Sequence, residues 1–237
     1  MPPKAVNRSV YYCTVGHLRA IVNRSVYSQW GKQQYELIDR WFSMSEAMRT
    51  QSPRRGGRGA RDRILATAAE LFYVDGINAT GVDLIASHAD VSKRTLYKYF
   101  PSKTALVEQY LAFVRDMSAD PRAADAGGPR ERLMLLFEIP EPGEGQMRGC
   151  PFHNAAVEAA AMMPDVANLV HLHKQTFATA IIELCRDYGA ADPELLGHQI
   201  ALLYEGAAAL STSLDDPQPW AYARTTTETL LDQARSA

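Results

Sequence analysis

The stretch "SKRTLYKYFPSK", residues 92–103, decides how this chain folds. Ser92 is a good helix N-cap and Pro101 closes the helix that follows it. Leu96 and Phe100 lie four apart and share one helix face, which predicts that both enter a core. Lys93, Arg94, Thr95, Tyr97 and Lys98 then fall on or beside the opposite face. Upstream, "RDRILATAAELFYVDG" places Ile64, Leu65, Ala68, Leu71 and Phe72 on one face, and Asp75-Gly76 supplies a left-handed stop. A short helix around Val82–His88 turns Val82, Ile85, Ala86 and Ala89 inward. Two helices of about seven or eight residues joined by a four-residue turn make a helix-turn-helix, with the second as reader. Ser102 caps the next helix, "KTALVEQYLAFVRDM".

Helical periods continue beyond this unit, and no alternating strand pattern interrupts them. The predicted spans are 129–138, 153–162, 165–188, 193–213 and 219–235, with "IPEPGEGQMRGCP" as a loop between the first two. The last two are apolar on broad faces, which leaves surface for a second subunit. The expected fold is all-α: an N-terminal three-helix helix-turn-helix domain (61–108) followed by a helical bundle for ligand binding and dimerisation (109–237). Before them lie a flexible basic arm (44–60), containing "SPRRGGRGA", and a segment without sustained period (1–43).

Charge divides the chain in the same places. Residues 1–53 and 54–115 each carry a net +4, whereas 116–237 carry −10. Such asymmetry points to a polyanion-binding part and a part with another task. No apolar run reaches the roughly 18 to 20 residues that cross a bilayer, and no secretory signal opens the chain. Cys13, Cys150 and Cys185 have no framework spacing, so a cytoplasmic location is expected. Phosphate loops, nucleophile motifs and catalytically spaced carboxylates are absent from the sequence, so neither enzymatic activity nor a cofactor is expected. Cys150, His153, His171 and His173 invite a metal reading, but His171 and His173 are two apart on a helix and diverge, so no metal site is expected.

From 61 to 111 the chain resembles the tetracycline-repressor (TetR) family of bacterial regulators, through "RILATAAELFYVDGINATGVDLIASHADVSKRTLYKYFPSKTAL". "GCPFHNAAVEAA" is similar to a ligand-domain signature of one branch of that family. Asp90 stands where the family usually has Gly in the turn, and Asp tolerates left-handed backbone better than most residues. The Pro/Gly-rich stretch between Phe137 and Gly149 also departs from relatives that continue a helix there. The resemblance implies a dimeric repressor that binds a palindromic DNA operator and is released by a small-molecule effector. Arg94 and Thr95 suit base edges by their chemistry, with Lys93 beside them. The resemblance further implies that Tyr97, Lys98, Tyr99 and Lys103 contact phosphates, joined by Thr80 from the preceding helix. Arg54, Arg55, Arg58 and Arg61 form an arm suited to the minor groove or backbone. Phe137, Phe152, His153, Met162, His173, Phe177 and Tyr204 are candidate pocket residues, as apolar walls with a few polar groups. The alternative is a DNA-binding regulator without a small-molecule effector, controlled by a partner protein or by redox chemistry at Cys150.

One motif stands apart. "VNRSVY" occurs at residues 6–11 and again at 22–27. These residues can be encoded GTA-AAC-CGA-TCG-GTT-TAC, 18 bases that are their own reverse complement. A two-fold symmetric site of that length suits a symmetric dimer with half-sites one helical turn apart. The expectation is that residues 1–43 are translated upstream DNA holding two operator copies 48 bases apart, with synthesis starting at Met44 or Met48. The rival reading is a genuine N-terminal extension whose duplicated motif binds a partner.

Overall fold

The computed structural model describes residues 59–117, 127–138 and 148–234. The "VNRSVY" copies, Met44, Met48, the arm with Arg54, Arg55 and Arg58, and most of the Pro/Gly-rich loop lie outside those residues. Every regular element among the described residues is a helix: α1 (Ala60–Val74), α2 (Val82–His88), α3 (Lys93–Tyr99), α4 (Lys103–Met117), α5 (Pro129–Leu135), α6 (Pro151–Glu158), α7 (Pro164–Tyr188), α8 (Pro193–Leu214) and α9 (Gln218–Ala234).

The first three helices and α4 enclose one core. Ile64, Ala68, Leu71 and Phe72 of α1 meet Ile85 and Ala86 of α2, Leu96 of α3, and Leu106, Val107 and Tyr110 of α4, all buried. Three of the helix ends here have a plain local cause. Gly76 is left-handed after α1 (φ 95°). The Ser92 hydroxyl accepts from Thr95 N–H at 3.0 Å at the start of α3, and the Ser102 hydroxyl accepts from Ala105 N–H at 3.0 Å at the start of α4. Asp90 does take the left-handed conformation in the four-residue turn, with φ 50°. Around it the Val91 N–H donates to Ala86 O at 3.0 Å. The buried Arg63 Nε donates to Ala89 O at 3.3 Å, so α1 ties down the end of α2.

The first core continues into the second half through Phe152, Ala155 and Ala159 of the α6 region and Val166 and Val170 of α7. A second core joins α5, the later part of α7, α8 and α9 around Phe137, Phe177, Ile181, Leu184, Ile200, Tyr204 and Trp220. Helix α7 therefore belongs to both. Gly197 lets α8 lie close on α7, because a Cβ there would sit 2.5 Å from Ile182 Cγ1.

Two helices differ from their predicted spans. The helix expected at 153–162 runs Pro151–Glu158: Pro151 presets its first turn, and at its end the Ala159 and Ala160 N–H groups both donate to Ala155 O, turning the chain off the helix. The helix expected at 129–138 ends at Leu135, and its last residues close on tighter bonds, such as Phe137 N–H to Met134 O at 3.1 Å.

A β-branched residue tolerates the Asp90 conformation poorly. Asp90→Val should therefore lower stability by about 1–2 kcal/mol, while Asp90→Gly should hold or raise it. Thermal unfolding followed by circular dichroism checks both; equal losses from the two would remove the left-handed turn as the cause.

Candidate nucleic-acid interface

Helix α3 is held from behind and bare in front. Leu96 and Phe100 are buried, and Lys93, Arg94, Tyr97, Lys98 and Tyr99 are exposed. The Arg61 guanidinium lies 5.4 Å over the Phe100 ring and donates to Gln109 Oε1 at 2.7 Å, so this side chain braces the far side of α3. The exposed face thus has a fixed orientation without contributing its own charges to the core.

The residues on that face are not equivalent. Lys93 is paired with Asp83 of α2 at 2.8 Å, and this hydrogen bond and charge raise its ammonium above the usual lysine value. The Thr95 hydroxyl lies 2.8 Å from that of Ser92, which engages its polar end in the N-cap and leaves its methyl. Lys98 Nζ stands 5.8 Å from the Tyr99 ring centroid. Lys103, at the first turn of α4, is half-buried; burial lowers its ammonium, and the Glu158 carboxylate works the other way.

Thr80 requires a correction. Its side chain is fully buried, and its hydroxyl donates to Gly76 O at 2.8 Å, with Leu71 O at 3.2 Å. A hydroxyl engaged this way closes the α1–α2 turn and does not reach a phosphate.

That turn is also gripped from the other half of the chain, a feature that local sequence patterns do not announce. Glu158, at the end of α6, accepts from Ile77 N–H at 2.6 Å and Asn78 N–H at 3.3 Å. The Asn78 side-chain amide donates back to Glu158 O at 2.5 Å. Arg148 lies 3.7 Å from the same carboxylate and donates to Tyr73 O at 2.9 Å. The carboxylate fills the space where a Cβ on residue 76 would come within 2.8 Å of it, a second reason for Gly76.

The pocket candidates fall into two groups. Phe137, Phe177 and Tyr204 do come together, with ring centroids 4.8 Å apart for Phe177–Tyr204 and 6.4 Å for Phe137–Tyr204. Trp220, which sequence reasoning missed, completes this group at 5.4 Å from Tyr204. Burial, with Cys150 and Glu205 nearby, pushes the Tyr204 hydroxyl well above the ordinary tyrosine value. Phe152 of the first core stacks face to face with the half-buried His173 at 3.6 Å, and burial, with Lys174 and Arg115, lowers the imidazole to about 4. Between the groups Lys174 pairs with Glu205 and donates to Cys150 Sγ at 3.7 Å. His153 is half-buried on α6. Met162 must be withdrawn from the pocket: it is 81% exposed, because α6 ends before reaching it.

A braced, outward-facing basic helix among described elements that are all helical defines the helix-turn-helix class of DNA-binding regulators. Residues 64–110 match the bacterial regulatory proteins of the tetR family. The transcriptional regulator EthR of Mycobacterium tuberculosis is 31% identical over 166 residues, covering 62% of this chain and 74% of EthR. The transcriptional repressor KstR of Mycolicibacterium smegmatis is 40% identical over 82 residues, which are 33% of this chain; the match spans 40% of KstR's length. A tetR-type regulator from Streptomyces avermitilis superposes with a TM-score of 0.64 at 31% identity, covering 75% of this chain and 98% of that one. The chain belongs to the tetR family, whose members are transcription regulators rather than enzymes.

Glu158→Gln keeps the shape of the tether and removes its charge. It should cost about 1–2 kcal/mol, toward the lower end for bonds to a charged group because the site is partly exposed. Urea unfolding measures this, and an unchanged midpoint would show that the carboxylate does not hold the turn.

Proposed function

We propose that the protein is a dimeric transcriptional repressor that binds a palindromic operator through α3 and is released by a small apolar effector. The outward face of α3 carries the reading. Arg94 is exposed on its first turn, where a recognition helix meets base edges, and a guanidinium matches guanine O6 and N7. Tyr97, Lys98 and Tyr99 suit phosphates, and Lys103 stands at the start of the next helix beside them. The guanidinium groups of Arg54, Arg55 and Arg58, outside the described residues, suit contacts to phosphates or the minor groove.

The aromatic group of Phe137, Phe177, Tyr204 and Trp220, edged by Lys174, Glu205 and Cys150, is the place for an effector. It suits a flat, largely apolar molecule with one hydrogen-bonding group. A shift of α7 there would be felt in both cores, and the Glu158 tether would pass it to the α1–α2 turn. Separating the two reading helices from the spacing of successive major grooves, about 34–36 Å, then releases DNA.

Dimerisation through α8 and α9 follows from their surface. Leu195, Leu202, Leu210 and Leu214 on α8 and Tyr222 on α9 are exposed, with Leu202 at 73%. An apolar stripe of this kind on the last two helices suits a two-fold four-helix contact. The chain's own gene is among its targets, on the strength of the codon palindrome at residues 6–11 and 22–27. A cytoplasmic site of action suits this role; no helix among the described residues is long and apolar enough to cross a membrane.

Selection from random duplexes tests the reading. The full chain should enrich a palindrome, and Arg94→Ala should relax one symmetric base position at a cost of about 1–3 kcal/mol. Lys98→Ala should weaken all sequences alike and reduce the salt slope by about 1. Enrichment of nothing above the starting pool, or an unchanged palindrome with Arg94→Ala, overturns it. For the dimer, Leu202→Asp should reduce the light-scattering mass from twice the 26.2 kDa chain to one chain. An unchanged mass places the interface elsewhere.

A further inference from the structure

We propose that the operator is the 18-base-pair palindrome GTAAAC(C/A)GATC(G/T)GTTTAC, and that two copies lie in the DNA encoding residues 6–11 and 22–27 of this chain, each taking one dimer. The inference rests on the DNA-binding reading above and names its target.

Six residues and two-fold symmetry leave almost no freedom in the bases. Val6 begins GT, so its mirror Tyr11 must end AC; Tyr11 begins TA, so Val6 must end in A. The Asn7–Val10 pair fixes AAC against GTT by the same rule. For Arg8 and Ser9, symmetry selects TC for the start of Ser9 and GA for the end of Arg8, leaving one choice, C or A, at the first base of Arg8. Eight of nine positions in each half-site are therefore determined, with no preference for any codon assumed.

The limits of the repeat supply an independent observation. In the first copy the flanking residues are Ala5 and Tyr12, and in the second Ile21 and Ser28. The amino-acid identity ends there. No codon of Tyr is the reverse complement of an Ala codon, and none of Ser of an Ile codon, so the perfect palindrome also fails within those codons. A duplicated peptide motif has no reason to stop where DNA symmetry stops, whereas a duplicated operator must.

The reading helix fits this sequence. Seven residues of α3 extend about 10 Å, roughly three base pairs. Two such helices one turn of about 10.5 base pairs apart, set about the dyad, rest on pairs three to six, A-A-A-C. Pair six presents a guanine to Arg94. The thymine methyls of the A·T pairs face the Thr95 methyl, the part of that side chain left free by Ser92.

The two copies begin 48 base pairs apart. At about 10.5 base pairs per turn this is about 4.6 turns, so the two dimers lie on nearly opposite sides of the duplex and do not touch. Binding is therefore stepwise and independent. The proposal concerns the DNA and holds whether or not codons 1–43 are translated.

The test is fluorescence anisotropy with the purified full chain and a labelled 30-base-pair duplex centred on the palindrome, in both its C·G and A·T forms at the free position. At physiological salt one of the two should bind about 1000-fold tighter than a duplex of the same composition with both half-sites scrambled. In a gel shift on the 66 base pairs encoding residues 6–27, two shifted species should form with affinities within about threefold of each other. Equal affinity for palindrome and scramble, with another palindrome recovered by random selection, overturns the operator and leaves the DNA-binding reading standing. Failure to bind any duplex at low salt overturns both. Native codons at 6–11 and 22–27 that are not inverted repeats also overturn the proposal.

Discussion

The Glu158 carboxylate, accepting from the Ile77 and Asn78 amides, is the constraint on which the rest of the molecule depends. A three-helix reading unit has a small core and meets the bundle largely through apolar contacts, which have no direction, joined by a few hydrogen bonds near this turn such as Arg148 to Tyr73 O. Charged hydrogen bonds to two consecutive amides fix an orientation. They fix it at the turn that leads into α2, where Thr80 closes the backbone on itself. Gly76 is the concession the chain makes to let the carboxylate approach.

With that turn held, the positions of α2 and α3 follow. Arg63 holds the end of α2, Asp90 reverses the chain, Ser92 starts α3, and Leu96 and Phe100 set its rotation about its axis. What reaches solvent is then decided by subtraction: Arg94, Tyr97, Lys98 and Tyr99 are outward because the other side of α3 is committed. Lys93 is partly restrained by Asp83, which distinguishes it from Arg94 one residue along. A rigid, one-sided basic helix is what groove recognition requires, since the ordering cost is met on folding rather than on binding.

Most of the reading unit was legible in the sequence because its signals are local. Ser92, Pro101, Ser102 and Asp75-Gly76 punctuate the helices, and the Leu96–Phe100 spacing orients α3 within a single turn. Even the departure at Asp90 was readable, since a left-handed turn residue has few candidates. The bundle was less so. Its helices were placed by period, but α6 ended four residues before the expected boundary and left Met162 on the surface. The aromatic candidates sorted into two cores because burial on a long helix such as α7 depends on which neighbours pack along it. Glu158 and Ile77 are 81 residues apart, and no periodicity or capping rule relates residues so distant. Trp220 escaped notice for the same reason: its partner Tyr204 lies on another helix.

The central claim is that one braced helix reads DNA and that the bundle feels it through the α1–α2 turn. Hydrogen exchange of the full chain, with and without DNA selected by that chain, addresses both parts at once. The account predicts slower exchange of amides in α3 and the Ser102 turn when DNA is added, accompanied by slower exchange at Ile77 and Asn78. Protection that avoids residues 92–103, or DNA binding that leaves them unchanged, would contradict it.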